Sequence, residues 1–134
     1  SSEEIVEAAW GYGMELGRAF QLVDDLLDLV GEEIIGKPRG TDVHEGKMTL
    51  PIIYALTMLH GSDRSHLEDV LINFRDNRLQ ELVELLERAG SMEYSRILIS
   101  NHVERALKHL DALPDSEAKT LLAELVMLSE SRTT

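Results

Sequence analysis

The chain has 134 residues, with 13 basic against 25 acidic side chains, a formal net charge of −12 and no cysteine. That length allows one domain with a real core; the acidic balance excludes nucleic acid as the main partner, because neutralising phosphates needs basic surface; and the missing thiols exclude disulfides and thiolate metal sites. No signal peptide is visible and no apolar run approaches the ~18 residues that span a bilayer, so a cytoplasmic protein without a transmembrane segment is expected.

Helical periodicity runs through almost every segment and nothing reads as a strand, which predicts a single all-α domain over residues 1–134 with about six helices. Ser1 followed three residues later by Glu4 reads as a capping box, opening a first helix over Glu3–Val30. A helix beginning at the first residue, with no initiating methionine, is the expectation for a piece of a longer protein. Gly11, Gly13 and Gly17 interrupt this helix, each at about 1 kcal/mol relative to alanine. Close approach of another helix or a ligand, or a kink, would account for them. Trp10 and Tyr12 read as core or interface residues.

Near its end the first helix reads Gly17-Arg18-Ala19-Phe20-Gln21-Leu22-Val23-Asp24-Asp25-Leu26-Leu27-Asp28. At roughly 100° per residue, Asp24, Asp25 and Asp28 fall within an arc of about 100°, with Asp24 and Asp28 stacked one turn apart. Like charges at that spacing repel. Phe20, Val23, Leu27 and Val30 surround them with apolar surface. A hard divalent cation would neutralise such a cluster, since Mg²⁺ takes oxygen ligands, one or two of them carboxylates, together with substrate phosphates.

From Gly31 to Lys47 the periodicity breaks, with four glycines, one proline and four acidic residues. Loops of this length inside a domain are commonly functional. Lys37 and Lys47 stand towards its two ends, as suits a diphosphate held between metal and ammonium groups; the alternative is a pair of solvated loop lysines. His44, between Asp42 and Glu45, reads as a solvated loop histidine, with a metal role as the alternative. Helices then follow over Leu50–His60, with Thr49 as cap and Pro51 in the first turn, and over Asp63–Phe74, Arg78–Ala89 and Met92–Leu113. Gly90 stops the helix before it, and Pro114 ends the long one. Asp115-Ser116-Glu117 opens a last helix reaching Ser129.

Gly-x-x-Phe-Gln-x-x-Asp-Asp-x-x-Asp, followed by a glycine-rich loop ending Gly-Lys-x-Thr-Leu-Pro, resembles the second aspartate-rich region of the trans-type polyprenyl diphosphate synthases; the matching stretches are Gly17–Asp28 and Gly36–Pro51. The resemblance implies the C-terminal portion of the helical isoprenoid synthase fold. It implies a Mg²⁺-dependent prenyltransferase in which isopentenyl diphosphate adds head-to-tail to an allylic diphosphate with loss of diphosphate, working as a homodimer at full length. It assigns Asp24 as a direct Mg²⁺ ligand, with Asp25 and Asp28 acting through water or behind it. Lys37 and Lys47 would contact the allylic diphosphate, so the catalytic set is Asp24, Lys37 and Lys47. Phe20 and Gln21 would face the reacting chains; plain core packing is the alternative for Phe20.

The family carries two aspartate-rich motifs, and this chain has no second Asp-Asp pair. The region that holds isopentenyl diphosphate and sets product length is missing with the first motif. The isolated chain is therefore expected to be inactive in elongation, and to self-associate through helix faces that the missing part would cover. Two other readings stand beside the synthase. One is a non-catalytic regulatory subunit of a heteromeric prenyl synthase. The other is a helical interaction module whose acidic cluster is incidental.

Overall fold

In the computed structural model residues 1–31 and 38–133 are described. Lys37 and the first part of the glycine-rich segment, residues 32–37, lie outside them. The periodic segments become α1 (Ser2–Val30), α2 (Thr41–His44), α3 (Leu50–Met58), α4 (Gly61–Ile72), α5 (Leu79–Ala89), α6 (Ser91–Leu110) and α7 (Glu117–Ser131), with a 3-10 turn at Asp76–Arg78 ahead of α5 and no strand among the described residues. The all-α expectation holds. The helix beyond the expected six is α2, a single short turn inside the glycine-rich loop that sequence periodicity is too short to register.

The capping residues behave largely as their chemistry dictates. The Glu4 amide donates to Ser1 Oγ at 3.4 Å while the Glu4 carboxylate reaches back to the Ser1 ammonium at 3.6 Å. Ser116 Oγ accepts from the Lys119 amide at 3.1 Å and opens α7. Thr49 occupies the cap position of α3 with extended backbone, but its side chain makes no capping hydrogen bond. The long α6 ends at Leu110, short of the expected Leu113. Residues before a proline leave the helical region, and the chain ahead of Pro114 tightens into i→i+3 bonds, the Leu113 amide donating to the Leu110 carbonyl at 3.0 Å.

The chain forms two compact units, Ser1–Val23 with Arg96–Thr134, and Asp24–Ser95, the division falling within α1 and α6. In the first unit Ala8, Tyr12 and Ala19 of α1, Ile99, Val103, Ala106 and Leu110 of α6, and Val126 of α7 are buried, at spacings that keep each set on one helix face. Tyr12 donates its hydroxyl to the Leu122 carbonyl at 2.7 Å, and burial pushes its pKa above the ordinary value. Glu15 is buried and pairs with His102 Nδ1 at 2.5 Å. Of the three glycines of α1, only Gly11 marks a close approach, since a Cβ there would run into the His109 ring while Gly13 and Gly17 face open space. Trp10 is no core residue: it is 73% exposed and continues a stripe with Val6 and Met14. Leu121, Leu125 and Leu128 form a second exposed apolar stripe on α7.

In the second unit α5 packs on α3 and α4, burying Leu82, Leu85 and Leu86 with Ile52, Ala55, Leu67 and Val70. Gly90 takes φ 81° and ends α5 in the left-handed conformation that glycine adopts without strain. Ser91 Oγ donates to the Pro51 carbonyl at 2.8 Å, and Tyr54 stacks on Tyr94 with centroids 4.2 Å apart. Arg78, expected to start α5, closes the 3-10 turn instead and joins two helices: Nη2 donates to Asp69 at 3.0 Å and Nε to Glu81 at 2.9 Å, while His66 also bonds Glu81. Arg78, and then His66, hold the Glu81 carboxyl down at about 2. Asp69 lies below its ordinary range because of Asn73 first and Arg78 second.

Two outcomes are expected. Gly13→Ala should stabilise the chain by about 0.5–1 kcal/mol in urea unfolding, whereas Gly11→Ala, which must displace the His109 ring, should give a smaller gain or a loss. Glu81 is more acidic folded than unfolded, so its contribution is full above the ordinary 4.5 and fades as pH falls towards about 2. Glu81→Gln should therefore melt below the wild type near neutrality, and the gap in Tm should close across that window.

Candidate functional site

The site lies in the second compact unit, where α1 ends and the chain folds back. Leu26 and Leu29 are fully buried and fix how this end of α1 is set against its core. Asp24 lies about 160° around the helix from Leu26 and is exposed, whereas Asp25 and Asp28 are 7% and 5% exposed. The three carboxylates share one arc in sequence but divide between solvent and interior.

The returning segment covers the two buried aspartates. The Gly40 amide donates to the Asp28 carbonyl at 2.7 Å, satisfying one of the carbonyls left open at a helix C-terminus. Gly40 has φ 84°, which lets the chain turn directly into α2. The Asp42 amide then donates to both oxygens of the Asp28 carboxylate, at 3.3 and 3.2 Å. After the single turn of α2, the Lys47 amide donates to the Asp42 carbonyl at 2.9 Å. That bond directs the Lys47 side chain back over the carboxylates, with Nζ 3.7 Å from Asp25 Oδ1 and 3.9 Å from Asp42 Oδ2. Lys47 is 48% exposed, so its ammonium joins a buried acidic cluster to open solvent.

Asp42 is the member that the sequence reading did not assign. It is 9% exposed and contributes twice, through its amide to Asp28 and through its carboxylate to Lys47. Its sequence signal is slight: an aspartate in the first turn of a helix opened by a glycine, in Gly40-Thr41-Asp42. His44 is exposed, as expected of a loop histidine, but it is held by partners away from the aspartates of α1. Its Nε2 bonds Asp76 at 2.5 Å and its ring meets Phe74 edge-on with centroids 4.9 Å apart, tying α2 to the segment ahead of α5.

Phe20 is 37% exposed and Gln21 is exposed, one helical turn before Asp24 on α1, so Phe20 is not a core residue. Lys37 lies outside the described residues. Among the described residues no set of three or more histidine, aspartate or glutamate side chains is placed to hold a metal ion. The donor set nevertheless suits a hard divalent cation that takes a single carboxylate and completes its shell with water and phosphate oxygens. Asp24 presents such a carboxylate, while Asp25 and Asp28 are committed to Lys47 and to the Asp42 amide.

This division has a measurable consequence. Asp28→Ala leaves the buried Asp42 amide without its acceptor and should cost about 1–3 kcal/mol in urea unfolding, with loss of hydrogen-exchange protection at that amide. Asp24→Ala removes an exposed charge and should change stability by less than about 0.5 kcal/mol.

Residues 1–88 match the polyprenyl synthetase family model. The chain is 39% identical over 123 residues to a short chain isoprenyl diphosphate synthase from Methanothermobacter thermautotrophicus, covering 91% of this chain and 38% of that protein. It is 34% identical over 129 residues to heptaprenyl diphosphate synthase component 2 of Geobacillus stearothermophilus, covering 93% and 39%. Its fold matches geranylgeranyl pyrophosphate synthase from Corynebacterium glutamicum, crystallised with isoprenyl diphosphate and magnesium, with a TM-score of 0.87 at 29% identity over 96% of this chain and 38% of that one. The chain thus spans less than two fifths of the length of each of these relatives.

Proposed function

The chain belongs to the polyprenyl synthetase family, and on that premise we propose that it forms the part of a Mg²⁺-dependent prenyltransferase that holds and ionises an allylic diphosphate for condensation with isopentenyl diphosphate. The observation that carries this reading is the cluster at the end of α1: an exposed Asp24 beside buried Asp25, Asp28 and Asp42, with Lys47 over them. Asp24 offers its carboxylate to the metal. Divalent cations, when bound, supply Lewis-acid neutralisation of the departing diphosphate. Lys47, and Lys37 with it, place ammonium groups against the diphosphate, where they stabilise the charge that grows as the carbon–oxygen bond breaks.

The remaining assignments follow from position. Asp28 fixes the returning loop through the Asp42 amide, and so sets where Lys47 stands. Phe20 offers an aromatic wall and Gln21 a polar edge to the allylic chain, one turn before the metal-binding carboxylate on the same helix. In this reading the working enzyme is a homodimer of the longer protein. The similarity to a protein named as component 2 of a heptaprenyl diphosphate synthase favours a second arrangement, in which the partner is a different chain. The intact Asp24, Asp25, Asp28 and Lys47 set then assigns this chain the catalytic share, and a purely regulatory subunit has no use for such a set.

Calorimetric titration with a bisphosphonate analogue of the allylic diphosphate provides the test. Binding should require Mg²⁺ and disappear in Asp24→Ala, while the variant keeps its helical circular dichroism. Binding of equal strength without metal, or undiminished in the variant, would remove Asp24 from the site.

A further inference from the structure

One face of α1 is bare along most of its length. Counted from Asp24 at roughly 100° per residue, Phe20, Gly17, Gly13, Trp10 and Val6 all lie within about 40° to either side, and all are exposed. Ala8, Tyr12, Glu15 and Ala19 occupy the opposite side and are buried. Resting on the assignment of the diphosphate to Asp24 and Lys47, we propose that this face is the track for the apolar tail of the allylic diphosphate, and that Trp10 meets the end of a tail of about four isoprene units.

The face changes character along α1, which runs unbroken from Ser2 to Val30. It ends in the Asp24 carboxylate, while Phe20, Trp10 and Val6 keep the rest apolar, the last two at 73% and 67% exposure. That polarity suits a molecule with a charged head and a hydrocarbon tail. A protein helix laid along the same face would have to bury the Asp24 charge, which is costly; a tailed diphosphate puts its own head at that end. The middle of the face also has room. No atom of the described residues comes within 4 Å of a Cβ placed at Gly13 or Gly17. Between the Phe20 and Trp10 rings the helix backbone itself is therefore the wall, and glycine allows a ligand to approach it closely.

The lengths agree. At about 1.5 Å of rise per residue, Gly17 lies ~10 Å and Trp10 ~21 Å from Asp24 along the helix. Four carbon–carbon bonds make an extended isoprene unit about 5 Å long. A two-unit tail then ends beside Gly17, and a four-unit tail reaches the indole. Trp10 thereby reads tail length, and a side chain at position 17 would stand where the third unit begins.

Trp10 is the single tryptophan of the 134-residue chain, so its fluorescence reports on this contact alone. The chain is titrated, with Mg²⁺ present, against inorganic diphosphate and against allylic thiolodiphosphates of two, three and four isoprene units, and both emission and heat are followed. The four-unit compound should move Trp10 emission to shorter wavelength, while the two-unit compound and inorganic diphosphate leave it in place. Affinity should rise about three- to tenfold with each added unit, as buried hydrocarbon dictates. Gly17→Leu, a change that favours the helix, should abolish the gain beyond two units and leave inorganic diphosphate binding as before. Leu121→Ala, on the separate exposed stripe of α7, should leave every affinity unchanged. Emission that ignores the four-unit tail, emission moved equally by the two-unit tail, or a Gly17→Leu chain that keeps the full gain overturns the inference, while bound inorganic diphosphate leaves the functional reading standing. Emission already shifted in the ligand-free chain and reverting on dilution assigns the face to a second copy and likewise overturns it. Binding of none of the four compounds overturns both the inference and the reading beneath it.

Discussion

The arrangement depends on how one buried carboxylate is satisfied. Asp28 lies inside the second compact unit at 5% exposure, and an ionised group there is costly unless it is paired and hydrogen-bonded. The Asp42 amide supplies the bonds, to both carboxylate oxygens. Meeting that requirement pins the returning loop to the end of α1. The turn at Gly40 and the single turn of α2 then determine where Lys47 falls. A polar group placed at an energetic disadvantage thus becomes the anchor of the site, and the long-range geometry follows from a local need for donors.

The hydrophobic framework decides which carboxylates share this fate. Leu26 and Leu29 face the core, so the aspartates occupy the flank and the outer face of the same helix. Asp25 and Asp28 sit on the flank that the loop covers, and Asp24 on the face that it does not. The division between one exposed carboxylate and two turned towards the loop, of which Asp28 holds it, thereby follows from helix geometry. Elsewhere in the unit a different device appears: Arg78 joins Asp69 of α4 to Glu81 of α5. These pairs are partly open to solvent, so their net worth is small, while Leu82, Leu85 and Leu86 supply the burial.

Much of this was legible in the residues. The repeat of apolar positions foretold six of the seven α-helices among the described residues, and Ser1, Ser116 and Gly90 marked ends that the structure keeps. The Gly17–Asp28 and Gly36–Pro51 patterns pointed to the family. The expectations that failed did so for identifiable reasons. Of the two readings for Trp10, core and interface, the core one fails because its position on α1 faces outwards, and periodicity on a long helix does not by itself reveal which face is covered. Of the readings for Gly13 and Gly17, close approach of another helix is the one that fails, since no atom of the described residues comes within 4 Å of a Cβ placed there. The pairing of buried Glu15 with His102 joins α1 to α6 across 87 positions, beyond the reach of any local pattern.

The sequence by itself determined the helical class, the family, and the residue types gathered at the site, because these rest on local periodicity, capping chemistry and motif spacing. Only the tertiary structure decided that Asp28 turns inward to receive the Asp42 amide, and that Lys47 stands between the Asp25 and Asp42 carboxylates. The contacts of Asp28 with Asp42 and of Asp25 with Lys47 join α1 to residues fourteen or more positions away. No local pattern encodes such a meeting; it is fixed by where the buried leucines set the helix and by the need of a buried charge for its donors.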